Sequence, residues 1–104
     1  MLDLQSSKLV GSISPHVGNL SFLKNLILSD NSFHNEIPSE IDRLRRLQIL
    51  RLYNNSLSGK IPRNLSHCTN LKFINFGHNL LDGESLQLLA LCQNSDSLIL
   101  KLII

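Results

Sequence analysis

A chain of 104 residues with a formal charge of +2 is long enough for one small domain and too weakly and diffusely basic to argue for a nucleic-acid partner. Charged residues are 17% against an average of about a quarter, aromatics are 5%, and Asn and Ser take polar positions that charges usually fill. No run approaches the ~18 apolar residues of a membrane span, and Met1-Leu2-Asp3-Leu4 has neither the basic start nor the apolar stretch of a signal peptide.

Taken in chain order, the leucines recur with a period of 24 residues. Residues 1–24 open on the strand-like alternation Leu2, Leu4. They continue through Ser7, Leu9, Gly11 and Ile13 to Val17, Leu20 and Leu23, spaced three apart. Residues 25–48 repeat the pattern as Leu26-Ile27-Leu28, Asn31, Phe33, Asn35, Ile37-Pro38, then Ile41, Leu44 and Leu47. Residues 49–72 give Leu50-Arg51-Leu52, Asn55, Leu57, Gly59, Ile61-Pro62, then Leu65, Cys68 and Leu71. Residues 73–96 keep Ile74, Phe76, Asn79, Leu81 and Gly83 but replace Ile-Pro with Ser85-Leu86 before Leu89 and Cys92. In residues 97–104, Leu98 and Leu100 fall in phase with Ile74 and Phe76, as the strand of a degenerate fifth repeat or an apolar tail.

Each column has a physical task. An L-x-L strand buries one face only, so successive copies must stack as a parallel sheet. The column Asn31, Asn55, Asn79 ends each strand, where a carboxamide can both donate to and accept from turning backbone and form a structural ladder across repeats. Gly11, Asn35, Gly59 and Gly83 mark a position that asks for positive φ. Apolar residues three apart in a polar segment predict 3₁₀ or helical turns on the opposite, convex side. An amphipathic helix bundle would not hold Asn, Gly and Pro in step with the leucines.

Residues 47–62, from Leu47-Gln48-Ile49-Leu50 to Gly59-Lys60-Ile61-Pro62, resemble the plant-specific leucine-rich repeat LxxLxLxxNxLxGxIP. Val17-Gly18-Asn19-Leu20-Ser21-Phe22-Leu23, Asn31-Ser32-Phe33 and His67-Cys68-Thr69-Asn70-Leu71 are similar to stretches in the first repeats of plant immune receptor kinases of the EF-Tu receptor type. The likeness covers residues 1 to about 83. It implies an α/β solenoid: a right-handed leucine-rich-repeat superhelix of about four repeats, with a parallel concave sheet and 3₁₀ turns on the convex side. It implies a non-catalytic segment of a receptor-like kinase or receptor-like protein ectodomain, acting in extracellular perception and defence. The expected partners are a protein or peptide ligand and a co-receptor. The kinase and membrane helix of such a parent are absent from this sequence, so it is expected to be a fragment or truncated product. A secreted inhibitor or scaffold, like the polygalacturonase inhibitors that share this repeat, and a truncated product without a partner stay open.

Solenoids bind through their concave face. The residues expected there are Ile27, Ser29, Asp30, Ile49, Arg51, Tyr53, Phe73, Asn75 and His78, with Tyr and Arg the types favoured at binding hot spots. Three sequons, at Asn19, Asn64 and Asn54, are candidate glycosylation sites, the first two on convex segments. Cys68 and Cys92 share a column one repeat apart; two buried thiols or a bridge both fit. The four histidines fall in different columns, away from metal-ligand spacing. No phosphate loop, nucleophile motif or paired carboxylates stand out, so no metal, cofactor or catalytic residue is expected.

Overall fold

The computed structural model describes residues 1–62, 65 and 67–82, with the backbone of 101–103. The expectations for Gly83, Ser85, Leu86, Leu89, Cys92, Leu98 and Leu100, and for Asn64, fall outside the described residues. Five short strands form one parallel sheet: β1 (Leu2–Asp3), β3 (Asn25–Ile27), β5 (Ile49–Arg51), β7 (Phe73–Asn75) and β9 (Lys101–Ile103), in that spatial order. Leu26 lies opposite Leu2, Leu50 opposite Leu26, and Ile74 opposite Leu50. The sequence period is therefore the rung spacing of the sheet. The step changes once: Leu102 lies opposite Ile74, 28 residues on rather than 24, where the leucine phase places Leu98. Leu98, Leu100 and Leu102 all satisfy the same alternation, so an even slip keeps the same face inward and the pattern alone does not fix the register.

A second parallel sheet, not foreseen from the sequence, stacks β2 (Val10–Ser12), β4 (Ser32–Asn35), β6 (Ser56–Gly59) and β8 (Leu80–Leu81). Its partners are 22 residues apart, as in Gly11 with Phe33 and Gly59 with Leu81, so each strand is slid two residues against the repeat. Val10 and Leu80 stand exposed on it. Its strands turn one apolar residue each inward, Phe33, Leu57 and Leu81, and a single inward residue per strand makes no alternation to announce it.

On the other side, η1 (Pro15–Asn19) and η2 (Ser39–Arg43) are 3₁₀ turns. The i→i+3 bonds run on through Val17, Leu20 and Leu23, through Ile41, Leu44 and Leu47, and through Leu65, Cys68 and Leu71. Three residues per turn puts those side chains in one line, facing the sheets. Leu26, Ile41, Leu44, Leu47, Leu50, Leu52, Leu57, Leu65 and Ile74 are fully buried between the layers.

The asparagine column acts as a ladder. The Asn31 amide nitrogen donates to the carbonyls of Leu4 (2.9 Å), Leu28 and Ser29, and its oxygen accepts from Ser7 N and Leu9 N. Asn79 donates to Leu52 O (2.8 Å), Phe76 O and Gly77 O, and accepts from Leu57 N. Each side chain thus closes its own turn and ties it to the preceding repeat. Gly11, Asn35 and Gly59 have φ of +121°, +65° and +74°, as their column requires. A second positive-φ column, Ser6, Asp30, Asn54 and His78, directly precedes the ladder position.

Gly18 is a further close approach. A Cβ there would lie 2.7 Å from the Glu40 carbonyl oxygen and 3.1 Å from Arg43 Cδ, so neighbouring 3₁₀ turns touch backbone to backbone. Because a carbonyl cannot swing aside, Gly18→Ala is expected to lower unfolding stability by about 1–3 kcal/mol. A urea melt with an unshifted midpoint would show that the turns are not packed this way.

Candidate ligand-recognition face

Strand pairing sets the outward face of the five-stranded sheet in rows. Asn25, Ile49 and Phe73 form one; Asp3, Ile27, Arg51 and Asn75 form the next. Tyr53, then Asn54 and His78, follow just beyond the strand ends. Ile49, Tyr53, Phe73 and Asn75 are half-buried, and Arg51 and His78 are exposed. Ile27 and Ser29 differ from the expectation of open surface, at 7% and 4% exposure. Ile27 is flanked by Asp3 and Arg51 on adjacent strands, and Ser29 is too short to rise above its neighbours. The Ser29 Oγ has no hydrogen-bond partner among the described residues.

Contacts invisible in the sequence order this face. The Arg51 guanidinium carbon sits 5.1 Å from the Phe73 ring centroid, one repeat on, in cation–π geometry. Tyr53 and His78 meet edge to face at 5.1 Å and 86°. Gly77 explains how Tyr53 lies: a Cβ on Gly77 would be 3.3 Å from Tyr53 Cδ2 and 3.2 Å from Asn75 Oδ1. The ring therefore rests against bare backbone, and Asn75 Oδ1 accepts from Gly77 N at 3.0 Å. The signal was available, since Gly77 stands in the Tyr53 column, but a glycine there reads as a gap rather than a seat.

At the other end of the face the carboxylates are already engaged. Asp30 Oδ1 accepts from the Asn54 amide at 2.9 Å, and Asp3 Oδ1 accepts from Gln5 N at 3.0 Å. Of the sequons, Asn19 is exposed at the end of η1, and Asn54 is exposed beside the strand ends.

Cys68 is a buried free thiol whose Sγ lies 3.7 Å from the carbonyl oxygens of Ile41 and Asp42. Burial pushes the thiol up from 9.0 to about 11; Arg45 opposes the rise and Asp42 adds to it. A raised folded-state value means the unfolded chain sheds this proton first, so stability falls as pH rises from about 9 toward 11. Denaturation across that range is expected to show a downward slope that Cys68→Ala lacks; equal slopes would refute the assignment.

Stacked 24-residue rungs, an asparagine ladder and 3₁₀ backs define a leucine-rich-repeat solenoid, and residues 22–44 and 46–68 match the Leucine Rich Repeat family. More particularly, the repeats are of the kind carried by plant receptor kinases. A receptor-like protein kinase of Arabidopsis thaliana is 62% identical over 39 residues, 38% of this chain. The LRR receptor-like serine/threonine-protein kinase EFR of the same plant is 56% identical over 45 residues, 43% of this chain. This chain spans 4% of the length of either relative. Among solved structures, the ectodomain of the Arabidopsis receptor kinase HAESA, in complex with an IDA peptide hormone ligand, superposes with a TM-score of 0.67 at 38% identity. That match covers 71% of this chain and 12% of that ectodomain chain. Among the described residues, no helix is long and apolar enough to cross a membrane, and no three of His, Cys, Asp and Glu gather to hold a metal.

Proposed function

We propose that this chain is a non-catalytic ligand- or protein-binding segment from the extracellular part of a plant receptor-like kinase or receptor-like protein, serving perception and defence signalling. The observation that carries the reading is the β5–β7 face. Arg51, Tyr53, Phe73 and His78 stand on rigid strand ends, already held by mutual ring contacts, so little side-chain freedom is lost on binding. A comparable ectodomain holds a peptide hormone, which makes a peptide or protein ligand the fitting partner class, with a co-receptor completing the signal. Four repeats, 1–24, 25–48, 49–72 and 73–96, supply the scaffold, with 97–104 the strand of a degenerate fifth repeat or an apolar tail. Asn19 carries glycan on the back of the stack and Asn54 at its rim, and Asn64 is a third acceptor by its sequon.

Selection from a displayed library of random linear peptides tests this, with bound peptides located by amide exchange. Protection over residues 49–53 and 73–78 is expected. Protection confined to η1 and η2, or no peptide retained, would overturn the reading.

A further inference from the structure

We propose that the Arg51 corner of this face recognises a carboxylate side chain of a peptide or protein partner, set beside an apolar residue that packs on Ile49 and Phe73. The inference rests on the functional reading above and names the chemistry of its ligand. Hydrogen-bond accounting on the face carries it. Arg51 pairs with no carboxylate among the described residues; its guanidinium lies over the Phe73 ring, which orients it without neutralising it. The Tyr53 hydroxyl and the Asn75 amide nitrogen likewise have no partner among the described residues, since Asn75 engages only its oxygen. Three donors therefore gather on adjacent strand ends with no acceptor supplied from the described part of the chain.

The acids of the same face, Asp3 and Asp30, lie on the β1–β3 side with an oxygen of each already taken. The face is thus polarised along its length, acceptors partly engaged at one end and donors open at the other. An Arg stacked on an aromatic ring presents its N–H edge in a fixed plane, which suits the two oxygens of a carboxylate. Ile49 and Phe73, paired across β5 and β7, form the apolar floor next to it. A lysine at the partner position would meet a bare cation instead.

The peptide selection described above, repeated on charge variants, decides the matter. The unaltered protein is expected to enrich Asp or Glu adjacent to an apolar residue. Arg51→Gln is expected to weaken the selected acidic peptide about tenfold or more, and Tyr53→Phe several-fold. Arg51→Glu is expected to reverse the enrichment to Lys and Arg, whereas Arg43→Glu on the convex turn leaves it unchanged. Arg51 is exposed, so its variants keep the parent melting behaviour, which thermal denaturation verifies. Peptides that protect β5 and β7 yet carry no acid, or an acidic preference that survives Arg51→Glu, would overturn this inference and leave the functional reading standing. Protection restricted to η1 and η2 would remove both.

Discussion

Replacing Asn55 with alanine is expected to destabilise the solenoid by about 3 kcal/mol, a large share of what a domain of this size has. The Asn55 amide nitrogen donates to Leu28 O (3.0 Å), Leu52 O (3.1 Å) and Tyr53 O (3.4 Å), while its oxygen accepts from Phe33 N (3.1 Å). Truncation leaves Phe33 N without its acceptor and removes one of two donors from Leu28 O, Leu52 O and Tyr53 O, which keep Asn31, Asn79 and Asp30 N. Each group left without a partner costs about 1–3 kcal/mol, reduced where water can enter. Asn55→Asp distinguishes this from a packing effect. Its carboxylate still accepts from Phe33 N but sets negative oxygens against the Leu28 and Leu52 carbonyls. At neutral pH it is expected to be at least as damaging as alanine, with partial recovery in acid, where the protonated form regains one donor. Asn70→Ala serves as the control, since the exposed Asn70 side chain makes one hydrogen bond among the described residues, to Arg45 O. Equal urea midpoints for Asn55→Ala and Asn70→Ala would remove the ladder from the account of stability.

What the sequence discloses depends on how many residue types a position tolerates. Leu26, Leu50 and Ile74 are readable because a buried rung admits only apolar side chains. Gly11, Asn35 and Gly59 are readable because few residues accept positive φ. Ser6, Asp30, Asn54 and His78 adopt φ of +54° to +59° with no common side chain, so the column is silent in the sequence. At three of these positions the asparagine that follows, Asn31, Asn55 or Asn79, holds the two carbonyls just before the turn, as Asn31 holds those of Leu28 and Ser29. The second sheet is silent for a related reason. Ser32–Asn35 and Ser56–Gly59 each send one apolar side chain inward, Phe33 in part and Leu57 fully, and a single residue makes no alternation for patterning to detect.

The candidate face was legible as a set of rows but not as a surface. Counting by 24 put Ile27, Arg51 and Asn75 side by side, and pairing agrees. It could not show that Ile27 and Ser29 would be covered, because exposure depends on the length and lean of adjacent side chains. Nor could it show Arg51 reaching diagonally to Phe73, or Tyr53 settling on Gly77. These are choices of rotamer between repeats, made only once the strands are in register. They are also the features that turn a row of residues into an ordered surface.

Leu50→Ala should produce the other large effect, about 2–5 kcal/mol, and its form should differ from an ordinary core truncation. Leu50 is fully buried and paired on both sides, with Leu26 one rung before and Ile74 one rung after. In a linear stack each repeat is stabilised by its own interior and its two interfaces, with no contacts that bypass a weakened rung. A cavity at the central rung therefore weakens both interfaces together. Amide exchange is expected to show protection falling on β3 and β7 alike, and the two sides losing protection at different urea concentrations where the parent loses it at one. Leu2→Ala provides the contrast, because the half-buried Leu2 has one described neighbour across the sheet, Leu26. It should cost distinctly less and leave the transition cooperative. A Leu50→Ala protein no less stable than Leu2→Ala would mean that the rungs do not share an interior, and the open face built on their spacing would lose its support as well.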